Sequence, residues 1–311
     1  MSLFLGFALV LPSFGAGKAS TAQHLQNISV TIRAEAGFAS SEGSGVIFTR
    51  KDKDGNFVNL VWTAAHVVDH LRTERKVVRD GRETTIIEFK DPMIVKEIRQ
   101  NGRIVGRLQM DAEVLKYSES EDGHDLALLR VRKLNFITDS VAFYLDKKLP
   151  ELGTDLLHVG SLLGQMGANS MTDGIYSQHG RILKQLNKHE FDQTTCTAFP
   201  GSSGGGVYLK EENPRYVGML VRGAGEGFNL IVPIRRMVDY CERHKIMWAL
   251  DPSIKMPDYE ELKKMPIEST PKIKEKEEKS GKKSTSGNKE FPFMIRRYIL
   301  KPVELEERIK E

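Results

Sequence analysis

The stretch FPGSSGGGVYL, residues 199–209, decides how this chain is interpreted. Glycines surround Ser203 and an apolar run follows, a pattern that predicts a tight turn leading into a strand. Such a turn exposes the serine hydroxyl and lets backbone N–H groups converge beside it. Because a serine hydroxyl is a weak nucleophile until a base takes its proton, we looked for a histidine and for a third group that orients it.

Two upstream segments contain residues of these types. In WTAAHVV, residues 62–68, a strand-like run leads to His66, which could face a cleft. In GHDLALLRV, residues 123–131, Asp125 begins an apolar strand, where a carboxylate is costly unless an imidazole N–H or a similar group pairs with it. The sequence therefore predicts Ser203 as nucleophile, with His66 as general base and Asp125 as its orienting group.

The same turn is expected to stabilise the negative charge that develops during acyl transfer. The backbone N–H groups of Gly201 and Ser203 are the predicted oxyanion hole. Loss of one such donor typically costs about 2.7–4 kcal/mol of transition-state stabilisation, so the turn must be rigid.

Short apolar runs predict an all-β fold. Runs rich in Val, Ile and Leu recur from residue 28 to residue 233, and Gly, Asp and Asn turn signals separate them, with no long helical pattern between them. They form two sets of roughly six, which predicts two six-stranded antiparallel barrels, and spacings of three and four residues after Pro233 predict a closing C-terminal helix over 234–248. The predicted strands are 28–33, 45–50, 58–63, 84–89, 93–99, 113–118 and 125–131, then 155–160, 174–183, 193–199, 206–210, 215–221 and 228–232.

The motifs TAAH, HDLALL and GSSGGG occur in the chain order of the trypsin-like serine proteases, which the sequence resembles over residues 28–248. Residues 158–182 and 216–237 make the resemblance closest to HtrA/Deg-type protease domains. The resemblance implies a chymotrypsin-like double barrel and a serine endopeptidase that acts on protein or peptide substrates through an acyl-enzyme intermediate, without a cofactor. The alternative is a non-catalytic interaction module on the same fold, since a fold alone does not fix a function.

The resemblance also implies the walls of a primary specificity pocket. Thr197, six residues before the nucleophile, is expected at its floor. No carboxylate is placed there to pair with a Lys or Arg side chain, so we expect a pocket for small to medium apolar side chains and cleavage after Val, Ala, Leu or Met. The expected side walls are Val221, Arg222, Gly223 and Gly227.

The two ends of the chain differ from the protease-like domain, which we place at residues 25–250. Residues 1–20 combine an apolar run with small residues suited to cleavage, which predicts a secretory signal peptide and export; the alternative is a disordered N-terminus. Residues 251–290 are rich in charge and proline and predict a disordered linker, while residues 291–311 regain apolar side chains. The 60 residues after Asp251 are too few and too charged for the PDZ domain common in HtrA/Deg-type proteases.

Composition narrows the range of partners. The chain has 46 Lys+Arg and 42 Asp+Glu, a net charge of +4, so nucleic-acid binding is not expected; the basic tail is a solvated linker or, alternatively, contacts an anionic surface.

Cys196 and Cys241 are predicted to be buried thiols, with a single disulfide as the alternative. His66 and His70 have a spacing that can bind metal on a helix, but no third ligand lies nearby, so no metal is expected. The oligomeric state is left open.

Overall fold

The fold is seen in a computed structural model that describes residues 20–79, 82–100, 102–121, 123–183, 189–223 and 227–268. Most of its regular structure is β-strand, arranged in two barrel-like sheets that follow one another along the chain. The predicted fold class is therefore confirmed. The predicted signal peptide, apart from Ser20, and the predicted C-terminal segment 291–311 lie outside the described residues.

The first half of the chain forms a closed barrel and a separate hairpin. The strands are β1 (Ser29–Ala36), β2 (Ala39–Lys51), β3 (Phe57–Thr63), β4 (Arg72–Arg79), β5 (Arg82–Phe89), β6 (Met93–Gln100), β7 (Arg103–Ser118) and β8 (Leu126–Val131). The barrel has the order β1-β2-β3-β8-β7-β6, and β4 pairs with β5 outside it. In this register Thr63 lies opposite Ala127, so the end of β3 is beside the start of β8.

The second half forms a seven-stranded sheet, one strand more than predicted. Its strands are β9 (Ala142–Phe143), β10 (Asp155–Leu162), β11 (Gly167–Ile182), β12 (Glu190–Thr194), β13 (Gly206–Leu209), β14 (Arg215–Gly223) and β15 (Asn229–Pro233). The order is β13-β10-β11-β12-β15-β14-β9, and a further pairing between β13 and β14 curls the sheet back on itself. The extra strand is the short β9, which runs parallel to β14.

Within the described residues, four short α-helices accompany the sheets: α1 (Thr21–Asn27), α2 (Ala65–Val68), α3 (Ile234–Arg243) and α4 (Tyr259–Lys264). The predicted C-terminal helix is present as α3 but ends at Arg243, earlier than expected. The sequence analysis missed α1 and α4, although each begins with a capping box, formed by Ser20 with Gln23 and by Asp258 with Glu261. No helix in the described ranges is long and apolar enough to cross a bilayer.

The core of each sheet is apolar, and the chain that follows α3 ties the two halves together. Trp62 of β3 is fully buried, and its indole N–H donates to the carbonyl of Ala249 at 3.1 Å. Arg50 of β2 donates to the carbonyl of Trp248 at 3.1 Å. Cys196 and Cys241 are buried free thiols.

The segment beyond α3 continues across the surface of the first barrel. The Arg130 guanidinium of β8 lies 4.0 Å from the centre of the Tyr259 ring, and Leu262 is only 4% exposed. The backbone N–H of Tyr117 in β7 donates to the carbonyl of Ile267 at 3.0 Å. The segment therefore packs against β7 and β8.

These contacts differ from the disordered linker predicted over residues 251–290. Residues 251–268 pack on the barrel because Leu262, Met265 and Ile267 give this part of the segment an apolar side. The lysine- and glutamate-rich residues that follow dominate the composition of the whole range and hid this local pattern.

We predict that Leu262→Ala lowers the free energy of unfolding by about 2–3 kcal/mol, because it removes buried methyl groups at an interface that cannot fully close. Lys263→Ala is the matched control: the lysine is exposed and its ion pair with Glu260 is at the surface, so its effect should stay within about 0.5 kcal/mol. Urea unfolding curves measure both. Equal stability of the two variants would show that the segment does not pack on the barrel.

Candidate active site

His66 lies in α2, directly after β3. Ala64 and Ala65 are fully buried, as are Val67 and Val68 to within 1%, so this short helix is fixed by its apolar residues. His66 itself keeps a side-chain exposure of 29%. Small residues before the histidine thus let the backbone turn tightly against the barrel while the imidazole faces outward.

Asp125 approaches His66 from the start of β8. Its side chain is 1% exposed, and its oxygens Oδ1 and Oδ2 lie 3.1 and 3.0 Å from His66 Nδ1. Oδ1 also accepts the backbone N–H of His66 at 3.1 Å. A carboxylate accepts hydrogen bonds, so Nδ1 carries the imidazole proton and Nε2 is left as an acceptor.

The backbone at Asp125 explains how the carboxylate reaches both groups. Asp125 has φ 55°, in the left-handed region, and its N–H donates to Glu119 O at 3.1 Å. The strand predicted from residue 125 therefore begins one residue later, at Leu126, and Asp125 belongs to the preceding turn. Aspartate is one of the few residue types that tolerate this conformation.

Electrostatics shift both partners in the directions expected for an ion pair. Burial by itself would raise the pKa of Asp125, but the charge and hydrogen bonds of His66, and then the charge of Arg222, hold it below its usual value. Burial would lower the pKa of His66, but Asp125 outweighs it and raises that pKa above its usual value. Arg222 opposes this rise and Asp69 adds to it. His66 therefore becomes neutral, and able to act as a base, at a higher pH than a histidine without this carboxylate partner.

Ser203 lies in the turn before β13. Gly201 and Gly204 flank it with φ 94° and φ 89°, values that favour glycine, and the Ser203 hydroxyl donates to Val221 O at 3.3 Å. The turn packs against the segment leading to His66, because a Cβ on Gly204 would lie 2.5 Å from Thr63 Oγ1. The structure thus pairs His66 with Asp125 and places the Ser203 turn against the segment that leads to His66.

Ser44 of β2 fixes the turn from the other sheet. Its backbone N–H donates to Ser203 O, and its hydroxyl donates to Gly201 O, each at 2.7 Å. The same hydroxyl accepts the N–H of Ser161 at 2.7 Å. Sequence reasoning missed Ser44, because a serine within a strand gives no local signal of a contact 157 residues away.

The predicted oxyanion donors have no hydrogen-bond acceptor among the described residues. Within the described residues, the N–H groups of Gly201 and Ser203 donate to no other protein group. Gly201 also has no room for a side chain, since a Cβ would lie 2.3 Å from Ser161 O and 2.5 Å from Gly164 N. Two unpaired N–H groups beside a serine hydroxyl can bind a carbonyl oxygen as it becomes negative.

Comparison with known proteins agrees with this geometry. The profile of the trypsin-like peptidase domain matches residues 43–219, more than half of the chain, and this range contains His66, Asp125 and Ser203. The chain belongs to the trypsin-like peptidase family. The resemblance inferred from the motifs is thereby confirmed.

This trypsin-like peptidase is also similar to two proteins that carry HtrA in their names. The chain is 26% identical over 169 residues to the serine protease Do-like HtrA of Lactobacillus helveticus, a match that covers 54% of this chain and 32% of that protein. The chain thus matches about a third of that relative's length. Its fold is similar to a solved structure of the HtrA-type protease AlgW with a tripeptide, with a TM-score of 0.51 at 17% identity over 73% of this chain and 62% of the other.

The residues predicted to form the specificity pocket do not all lie where a pocket beside Ser203 would need them. Thr197 is exposed, and its carbonyl accepts the Thr172 hydroxyl at 2.9 Å, so its position does not match a buried floor. Gly227 is exposed with φ 73°. Val221 is buried with its carbonyl toward Ser203. These residues follow the chain spacing of the family, but side-chain direction decides which of them can line a pocket.

Asn229, at the start of β15, is a residue that the sequence analysis did not select. Its side chain is 1% exposed, and its Nδ2 donates to Cys196 O at 2.7 Å, which fixes the orientation of the amide. Its Oδ1 is buried without a hydrogen-bond partner among the described residues, and a Cβ on Gly223 would lie 2.3 Å from it. The available signal was a polar residue inside the apolar run FNLIV.

The part of the chain that the structure describes contains no candidate metal centre. No group of three or more His, Cys, Asp or Glu side chains is close enough there to hold an ion. His70, considered with His66 as a metal pair, instead places Nε2 2.7 Å from Ala34 O.

We predict that Gly201→Ala greatly reduces labelling by a fluorophosphonate, because the new Cβ would collide with the backbone at Ser161 and Gly164 and displace the turn. Gly153→Ala is the control: Gly153 also has a positive φ, of 85°, but nothing lies within 4 Å of its Cβ position. That variant should lose about 1 kcal/mol of stability and keep its labelling rate. Equal labelling of both variants would contradict a rigid oxyanion turn.

Proposed function

We propose that this protein is a serine endopeptidase that hydrolyses peptide bonds through Ser203, His66 and Asp125. The observation that carries the proposal is the buried Asp125 carboxylate, which holds His66 Nδ1 at 3.0–3.1 Å beside a glycine-rich serine turn with two unpaired N–H groups. A base, its orienting group and an oxyanion site are the parts that acyl transfer needs.

The reaction follows from these positions. The Ser203 hydroxyl rotates from Val221 O toward His66 Nε2, which takes its proton as Oγ bonds to the substrate carbonyl carbon. The N–H groups of Gly201 and Ser203 bind the resulting oxyanion. Its collapse breaks the peptide C–N bond, and His66 gives its proton to the leaving amine. Water, deprotonated by His66, then attacks the ester carbon; the C–Oγ bond breaks, and His66 returns the proton to Ser203 Oγ, which releases the acid and restores the enzyme.

A second candidate is a non-catalytic interaction module built on the same fold. The contact that favours it is the Ser203 hydroxyl bond to Val221 O, because a hydroxyl engaged there is not engaged with the imidazole. At 3.3 Å this is a weak O–H···O bond, and rotation about a single torsion breaks it. The peptidase proposal therefore explains more of the site.

We predict that Ser203→Ala abolishes both peptide cleavage and fluorophosphonate labelling while the protein stays folded. His66→Ala should lose about as much activity as Ser203→Ala, and the double variant no more, since nucleophile and base act as one unit. Ser253→Ala, at an exposed serine outside this turn, is the control for labelling. Proteolysis that survives in Ser203→Ala would exclude the proposed nucleophile, and absence of labelling in the unmodified protein would favour the interaction module.

The substrate class is proposed from the surfaces beside Ser203. Val221 and Gly223, with Asn229 behind them, would receive the side chain of the residue whose carbonyl is attacked. Asn229 provides no charge for a Lys or Arg side chain and occupies space against Gly223. On the neighbouring loops Leu163 and Phe199 are about half exposed, and Leu163 N–H donates to Pro200 O at 2.7 Å. These surfaces favour extended substrates with apolar side chains.

We predict that most cuts in unfolded casein follow Ala, Val, Leu or Met. Asn229→Ala should shift the pattern toward larger apolar residues because it opens space beside Gly223, whereas Asn213→Ala, at an exposed position, should leave the pattern unchanged. Mass spectrometry of the peptides measures the distribution. A majority of cuts after Lys or Arg, or an unaltered pattern in Asn229→Ala, would overturn the proposed pocket.

A further inference from the structure

Arg222 of β14 was expected in the wall of the specificity pocket, but its side chain extends toward the catalytic carboxylate. Its Nη2 lies 4.0 Å from Asp125 Oδ2 and donates to Ser120 O at 3.3 Å. The guanidinium is 35% exposed, while Asp125 is 1% exposed. The ion pair therefore joins a partly solvated cation to a buried anion.

The position of Arg222 links the two sheets at the reacting groups. Arg222 belongs to the second sheet, whereas Asp125 and Ser120 lie in the connection between β7 and β8 of the first. The preceding residue, Val221, accepts the Ser203 hydroxyl through its carbonyl. One dipeptide thus contacts the residue that carries the nucleophile and the one that orients the base.

We propose that Arg222 is a positioning residue of the triad, which keeps the Asp125 carboxylate ionised and directed at His66. This inference rests on the proposed function and deepens it. A buried carboxylate is stabilised by every donor and cation near it, and His66 alone supplies donors from one side chain and one backbone N–H. Arg222 adds a permanent charge that does not change when the imidazole gains or loses its proton.

The charges around His66 and Asp125 determine the direction in which Arg222 shifts the pKa of His66. Among the described residues, the charges that act on His66 are those of Asp125, Arg222 and Asp69. Asp125 also interacts with the charge of the buried Arg236, whose Nη2 donates to His124 O. A cation near the imidazole disfavours the imidazolium, so Arg222 lowers the pKa of His66 and opposes Asp125. Arg222 therefore extends the activity of the base toward lower pH. Without its charge, a larger part of His66 is protonated at neutral pH.

Arg222→Gln and Arg222→Lys test the inference, with Arg215→Gln as matched control. Arg215 is on the same strand with the same side-chain exposure of 35%, but pairs with Glu211 and Asp146. We expect Arg222→Gln to move the acid limb of kcat/KM upward by about 0.5–1 pH unit, and kcat/KM well below the limb to fall by about 3–10-fold beyond any loss at high pH. Arg222→Lys keeps the positive charge and should show only a small part of this shift, and Arg215→Gln should show none.

A second measurement separates this inference from the proposed function. In the Ser203→Ala background, NMR titration of the His66 imidazole should show the same upward shift on adding Arg222→Gln, whether or not the unmodified protein cleaves peptides. Arg222→Met, which keeps the aliphatic stem, replaces the glutamine variant if that variant does not fold. An unmoved or lowered His66 titration, or an equal shift in Arg222→Lys or Arg215→Gln, overturns the role of Arg222. A shifted titration without any cleavage would overturn the peptidase and leave the ion pair standing.

Discussion

The buried Asp125 carboxylate and its pairing with His66 are the constraint on which the site depends. An anion with 1% exposure carries a large desolvation penalty, and an unpaired one would cost several kcal/mol. The pairing is possible because Thr63 of β3 lies opposite Ala127 of β8, so both residues emerge at the same edge of the first barrel. A slip of one residue in this register would turn alternate side chains to the other face and separate the pair.

The second sheet depends on the first for the shape of the turn that contains Ser203. Its strands end at the turn, but the Ser44 hydroxyl and N–H of β2 fix the carbonyls of Gly201 and Ser203. In the other direction, the carbonyl of Val221 in the second sheet accepts the Ser203 hydroxyl, and Arg222 approaches Asp125. Neither sheet alone holds a formed site, so its geometry reports on how the two sheets pack.

Much of this arrangement was predictable from residue types. The alternation of apolar runs with turn residues indicated the strands, and the chemistry of acyl transfer selected Ser203, His66 and Asp125. Ser44 gave no such signal, and Arg222 was expected only in the pocket wall, because their roles depend on contacts with residues far away in the chain. Chain spacing suggested Thr197 for the pocket floor, yet the fold leaves it exposed and buries Asn229. Sequence spacing fixes which residues are near a site, whereas side-chain direction emerges only with the packed sheets.

The C-terminal segment that crosses the first barrel has a consequence for synthesis on the ribosome. All strands of that barrel lie between residues 29 and 131, but Leu262 and the carbonyls of Trp248 and Ala249 reach it only after more than a hundred further residues have been translated. Until then, the first barrel lacks the residues that cover part of its apolar surface and the Ala249 carbonyl that accepts the Trp62 indole N–H. Covering this surface requires residues 248–267, so the first barrel reaches its final packing only after the whole second sheet has been translated.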